Sequence, residues 1–354
     1  MQSTIKLTFI IIIVLSTYIT TYAQIGGRYV FEFLGSPQSA RLTSLGGSLI
    51  TVADDDVSLA ASNPALLSEK TDGQLSINHN FSIADISNGY LGYGRRLKKL
   101  GIDAHIGISY ISFGDFVAAD EYGNNEGTFS GGETALTLGA SKKLNDRITL
   151  GANIKGIFGN MESYNSSGIG ADIGILYTRP ESEMIVAFLI KNIGYQLSAY
   201  GNNAGATPLD IQIGVSQKLQ HLPFRFSITA HNLQKWGIRY DDPNQIEQQS
   251  LFGEEVTETS SFNKGIDNLF RHLIIGGEFL LGKTQGIKIR FAYNHLRRKE
   301  LSLSNFRSLA GFSAGFGFKI KGINIDYGLG YYHLAGTANH LSVRTDINRI
   351  FRKF

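Results

Sequence analysis

The 354-residue sequence contains no cysteine, which excludes a disulfide framework, thiol nucleophiles and cysteine-held metals. Charge of either sign is not in excess: the formal balance is +3, falling to +2 if residues 1–23, with their single Lys6, are removed. That balance points away from a nucleic-acid partner. Long apolar runs are missing as well, apart from Leu7–Leu15, which is shorter than the ~20 residues of a spanning helix. With Lys6 before it and Thr21-Tyr22-Ala23 after it, this run reads as a secretory signal cut near Ala23, so the mature chain is expected to begin at Gln24. Proline is scarce at 6, whereas glycine reaches 41 and aromatics 11%. That combination favours many strands over helices.

From residue 74 onward the apolar period is two. In "PFRFSITAH" Phe224, Phe226 and Ile228 alternate with Arg225, Ser227 and Thr229; in "GIKIRFAYN" Ile287, Ile289 and Phe291 alternate with Lys288, Arg290 and Ala292. Such alternation gives each strand one apolar and one polar face. It predicts fourteen strands, near 74–83, 87–97, 101–116, 131–143, 148–163, 167–178, 184–200, 209–219, 222–236, 272–282, 287–297, 309–320, 323–334 and 337–347. Most reach the ~9–11 residues that a tilted strand needs to cross a bilayer. Connections after even strands are tight, such as Lys321-Gly322, while several after odd strands are long, including 117–131, 201–208 and 237–271. This parity matches an outer-membrane barrel, with both termini on the periplasmic side. Aromatics gather near the outer strand ends: Phe113 and Phe116, Tyr195 and Tyr200, Trp236 and Tyr240, Tyr331 and Tyr332. The expected fold is therefore all-β, a transmembrane antiparallel barrel over 74–354, located in the outer membrane.

Residues 24–73 carry no sustained period. A barrel of fourteen strands has a lumen to fill, and this segment is the expected plug or hatch. "SARLTSLGGSL" suits one helical turn ended or kinked at Gly46-Gly47. "DDDVSLAASNPALL" suits a capped short helix, with Pro64 turning Asn63 away from αR. Asp54, Asp55 and Asp56 read as a solvated cap or turn rather than a cation site, which needs ligands spread over a shaped loop. His79, His105, His231, His295 and His333 fall on separate strands without metal-ligand spacing. No residue pattern nominates a catalytic pair, so neither an enzyme nor a metal or other cofactor is expected.

The string "GGRYVFEFLGSPQSARLTSLGG" followed by "DDDVSLAASNPALL", together with "LFRHLIIGGEF" at 269–279, resembles the PorQ family of outer-membrane proteins of the type IX secretion system, relatives of FadL. The resemblance rests on Phe31, Phe33, Ser39, Ala40, Arg41, Gly46, Gly47, Asn63 and Pro64. It implies a non-catalytic anchor in an attachment complex, holding PorZ at the cell surface beside PorU and PorV, among outer-membrane lipid or lipopolysaccharide. PorU in that complex removes a C-terminal signal from cargo and joins the cargo to lipopolysaccharide. The alternative is a FadL-like channel for uptake of hydrophobic small molecules. For the anchor, the 237–271 insertion and its border are the expected docking site, through Trp236, Tyr240, Asp241, Asp242, Phe252, Phe262 and Phe270. Ile266, Leu269, Phe270 and Leu273 stand at helical spacing there.

Overall fold

A computed structural model of the chain describes residues 29–82, 84–201, 204–239, 261–301, 309–333 and 336–351. Its strands are β1 (Gln74–Phe81), β2 (Ser87–Leu97), β3 (Ile102–Ala119), β4 (Asn125–Lys143), β5 (Ile148–Met161), β6 (Tyr164–Arg179) and β7 (Met184–Ser198). Seven more follow: β8 (Asp210–Lys218), β9 (Phe224–Ala230), β10 (Leu273–Leu281), β11 (Ile287–Asn294), β12 (Phe312–Ile320), β13 (Ile323–His333) and β14 (Gly336–Asp346). Each pairs antiparallel with its sequence neighbours, and β1 pairs with β14, as in Ile77↔Val343, to close the barrel. Closure leaves no strand edge unpaired, which a lipid environment requires.

The period of two sorts the side chains as expected for such a wall. Ile77, Ile106, Leu136, Ile154, Ile289, Phe291 and Phe316 are exposed on the outside. Ser76, Asn78, His105, Asn153, Arg290, Asp326 and Arg344 are buried on the inside. The wall is apolar outward and polar inward, the reverse of a soluble barrel and the pattern of a lipid-embedded one.

Most strand boundaries shift by one to three residues or more from the sequence expectation, and at three places a local reason is evident. Strand β9 stops at Ala230 rather than 236, because Asn232 turns into left-handed backbone (φ 56°) and its amide goes to Asp210 instead of a ladder partner. Strand β11 stops at Asn294, whose side chain accepts from Arg297 N and so caps a helix from His295 to Glu300. The expected 117–131 loop is mostly strand: β3 and β4 continue as a two-stranded ribbon to a turn in which Asp120 accepts from the amides of Tyr122 and Asn124.

The lumen is occupied by residues 29–73. After a 3-10 turn at Glu32–Gly35 comes α1 (Ala40–Ser44), capped by the Ser39 side chain. Gly46 and Gly47 then bend the chain with φ of 82° and 100°. The expected helix after the Asp run is two 3-10 turns instead, Val57–Ala61 and Pro64–Leu66. Pro64 has no N–H to carry an α-helix through Asn63, so the two remain separate. Leu42, Leu45, Leu49, Ile50, Leu59 and Leu66 pack against Leu176, Ala187 and Leu189 of the wall. Each such burial contributes roughly 1.5–3 kcal/mol.

Over the short strands on one side of the rim lie α2 (Ser261–Arg271) and α3 (His295–Glu300). Asp267 of α2 ties them together, accepting from Arg271 and from His295 of α3. Burial alone would raise the Asp267 carboxyl, but these bonds and the charges of Arg271 and Lys299 hold it at about 2.

Candidate functional site: a latched hatch and a bulged wall

The hatch is fastened to the wall by a ring of six charged side chains. The Arg41 guanidinium donates through Nε and Nη2 to both carboxylate oxygens of Glu278 (3.1 Å each), and its Nη1 reaches Asp56 at 3.4 Å. Glu278 accepts from Arg290 at 3.0 Å, which donates to Asp326 at 2.7 Å. Asp326 accepts from Arg344 at 2.9 Å, and Arg344 lies 3.4 Å from Asp56 to complete the circuit. Bases and acids alternate around the ring, so each guanidinium lies between two carboxylates. Such pairing offsets the cost of burying each charge. Two members, Arg41 and Asp56, belong to the hatch; the others come from β10, β11, β13 and β14. Around it, Asp54 binds Arg41 at 2.8 Å and Asp55 binds Lys319 at 3.1 Å.

This overturns the expectation of a solvated Asp run. Asp56 does cap its 3-10 turn, accepting from Ser58 N, but it is buried, and each of the three carboxylates meets a cation, Asp54 and Asp56 the buried Arg41 and the half-exposed Asp55 the exposed Lys319. Burial would raise the Asp54 carboxyl; Arg41, Arg225 and further cations outweigh it and hold the group at about 2. A carboxylate depressed in the docked state contributes fully above its ordinary value near ~3.9 and loses that contribution as pH falls through the depressed value. Hatch docking should therefore be unchanged from neutral pH to about 4 and weaken between about 4 and 2. Conductance of bilayer-inserted protein, stepped from pH 7 to 4 to 2.5, should rise only in the last step.

A second feature sits in the wall between β6 and β7. The register passes from Ala171↔Ile193 to Ile173↔Ile190, so Lys191 and Asn192 together oppose Asp172. This is a β-bulge, which turns two consecutive residues inward. Asn192 is left-handed (φ 59°) and its amide donates to Asp172 Oδ1 at 2.8 Å; Lys155 bridges Asp172 and Asn192 at 2.7 Å each. A cavity of about 450 Å³ lies on the lumen side, lined by Lys191, Asn192, Asp210, His231, Asn294 and Arg297 among others. On the lipid side, an apolar hollow of about 650 Å³ is walled by Leu136, Leu138, Ile154, Ile169, Ile193 and Tyr195, with Gly156 and Ala171 in its lining.

Residues 16–223 match the uncharacterised protein family UPF0164. The chain belongs to that family. No curated protein matches its sequence. Among solved structures, this UPF0164 barrel resembles the Pseudomonas putida toluene transporter TodX, with a TM-score of 0.52 at 12% identity over 87% of this chain and 96% of TodX. A TodX monoaromatic hydrocarbon channel carrying the deltaS2 mutation gives 0.50 at 12% identity, over 89% of this chain and 98% of that one. A Pseudomonas aeruginosa FadL homologue gives 0.47 at 12% identity, over 91% and 100%. At these identities the likeness is one of fold, a barrel like those of outer-membrane transport proteins.

The motif residues of this UPF0164 chain gather in the hatch. Phe31 and Phe33 are buried with Ala135 and Ile157 of the wall. Ser39 caps α1, Ala40 N donates to Ser342 Oγ at 2.8 Å, and Arg41 enters the ring. Asn63 caps the turn begun by Pro64, donates to Ile50 O at 2.9 Å, and rests against Gly174. The rim residues do not assemble in the same way. Trp236 is exposed and stacks on His272; Phe262 and Phe270 are exposed on α2; Tyr240, Asp241, Asp242 and Phe252 lie outside the described residues. Sequence reasoning missed Glu278, Arg344, Asp172 and Lys191. The available signal was a charge on the inward parity of an otherwise apolar strand, as with Glu278 in "LIIGGEFLL".

Proposed function

We propose that the protein passes small hydrophobic molecules across the outer membrane, using the β6–β7 bulge as its lateral doorway while residues 29–73 seal the direct route to the periplasm. The observation that carries this reading is the bulge between two cavities, a lumen pocket on one face and an apolar hollow on the other. A bulge removes regular pairing where it occurs, and this one is held instead by side-chain bonds centred on Asp172. The fold shared with a toluene transporter supports the same substrate class. Gly156 has open space on the lipid side, so Gly156→Leu with Ala171→Leu should fill the hollow without disturbing the lumen. Uptake of toluene by whole cells should then slow by about tenfold, the effect of ~1.4 kcal/mol on the limiting step. Unchanged uptake would remove the doorway.

A second reading, the surface anchor that holds PorZ beside PorU and PorV, is supported by α2. Phe262, Ile266, Leu269 and Phe270 are exposed at the rim, Phe262 to 74%. Truncating aromatic anchors in an interface costs ~2 kcal/mol or more each. For an anchor, Phe262→Ser with Phe270→Ser should release PorZ into the medium while the barrel still assembles. Retention of PorZ with normal cargo attachment would exclude α2 as its seat.

A further inference from the structure

Helix α2 is turned inside out relative to a surface helix of a soluble protein. At about 100° per residue, Phe262, Ile266, Leu269 and Phe270 fall on one stripe, and Asp267, Asn268 and Arg271 fall on the opposite one. The polar stripe is the one held against the protein. Asn268 donates to Trp236 O at 2.7 Å and accepts from Ile238 N at 3.2 Å, while Arg271 donates to Asp267 at 2.8 Å. Asn268 and Arg271 are buried, whereas the apolar side chains of the other stripe are all exposed. The barrel wall has the same inversion, polar toward the protein and apolar toward lipid.

The apolar face of α2 also runs into the lipid-facing surface of the wall. The Phe270 and His295 rings lie 6.0 Å apart, Tyr293 donates its hydroxyl to His295 Nδ1 at 2.8 Å, and the Tyr293 ring lies 4.9 Å from that of Phe312. Tyr293 is in turn the ladder partner of Ile275, which is exposed on the outward face of β10. A continuous band therefore leads from the outer ends of β10, β11 and β12 onto the helix. Positive charge borders it: α2 and α3 carry Lys264, Arg271, Arg297, Arg298 and Lys299 against only Asp267 and Glu300. Arg297 turns to the lumen and donates to Gly46 O, but Arg298 lies beside Gly311 at the start of β12, and Lys299 is exposed.

We propose that α2 lies in the outer leaflet and, with α3, binds a phosphorylated acyl glycolipid of that leaflet, its chains against Phe262, Ile266, Leu269 and Phe270 and a phosphate at Arg298 and Lys299. An interfacial helix of this kind sinks its apolar face ~5–10 Å into the boundary between headgroups and chains. A charge-assisted hydrogen bond to the phosphate should strengthen binding by about tenfold to a hundredfold. The inference rests on neither functional reading, and it gives to lipid a face that the second reading gives to a protein.

One experiment places the helix. Because the chain has no cysteine, Ile266→Cys or Lys264→Cys gives a single thiol for a bimane label in full-length protein, reconstituted without any partner into vesicles of phosphatidylcholine brominated along its chains. The label at 266 should be quenched by bromine and shielded from aqueous iodide; the label at 264, on the opposite side of the helix, should behave in reverse. Iodide quenching at 266 as strong as at 264 would overturn the proposal, and is the result expected of a face reserved for a protein. A second experiment titrates full-length protein in detergent with lipid A, lipid A stripped of its phosphates, and inorganic phosphate, read by native mass spectrometry. Wild-type protein should bind intact lipid A about tenfold to a hundredfold more tightly than the stripped form. Arg298→Gln with Lys299→Gln should erase that difference, and Phe262→Ser with Phe270→Ser should weaken binding of both forms, with heat-modifiable mobility on gels confirming that each variant is folded. Equal binding of the two forms by wild-type protein would overturn the phosphate site without recourse to any variant. Inorganic phosphate bound as tightly as lipid A would overturn the lipid as its ligand.

Discussion

Replacing Arg41 by Met should open the barrel. The guanidinium is 1% exposed and lies against Glu278, Asp54 and Asp56. Without it those carboxylates remain in the lumen with fewer cations than the ring requires. Removing one partner of a buried ion pair costs ~3–5 kcal/mol, mostly through the charge left behind. The least costly response is for the hatch to withdraw, taking Asp54 and Asp56 into water and leaving Glu278 with Arg225 and Arg290. Single-channel recordings should then show a large, persistently open conductance where the wild-type protein is closed. Arg41→Lys should give an intermediate result, because a lysine restores charge but not the two-pronged contact with Glu278. A closed Arg41→Met barrel would mean that the apolar contacts of Leu42, Leu45 and Ile50 hold the hatch without the ring.

The same opening should follow from steric change that leaves every charge in place. Gly328 of β13 lies directly under the Ala40 carbonyl, and Gly151 of β5 under the Pro64–Ala65 backbone; a Cβ at either position would meet hatch main chain rather than a yielding side-chain tip. Overpacking of this kind typically costs ~1–3 kcal/mol per site. Gly328→Val with Gly151→Val should therefore unseat α1 and the Asn63–Leu66 turn together, while the strands, whose lipid faces are untouched, still assemble. Raised conductance together with protease cleavage within residues 29–73 is the expected outcome. Two independent routes to one open state would separate docking of the hatch from stability of the barrel.

What could be read from the sequence follows from how local each determinant is. Strand β2 was legible to the residue, since the alternation in "SNGYLGYGRRL" starts and stops with the strand. Strand β9 was not, because His231–Trp236 continue an alternating composition although Asn232 takes left-handed backbone, a choice fixed by contact with Asp210. In the hatch, Gly46-Gly47 and Asn63-Pro64 marked the bends, as those residues do through their own backbone preferences. The ring was invisible: Arg41 and Glu278 stand 237 positions apart, and nothing near either one names the other. The bulge at Asp172 and Asn192 was hidden for a related reason, since one extra residue is evident only against the partner strand. Hence the wall was readable from periodicity, while the latch and the β6–β7 bulge required the closed barrel.

The most direct test of the doorway is a staple across it. Ala171 and Ile193 are cross-strand partners at the bulge, and the chain has no cysteine of its own, so Ala171→Cys with Ile193→Cys introduces the sole disulfide. Toluene uptake by whole cells, measured with the staple oxidised and again after reduction, should be blocked in the first state and restored in the second. Equal uptake in both states, with the staple shown to have formed, would contradict passage through the β6–β7 wall.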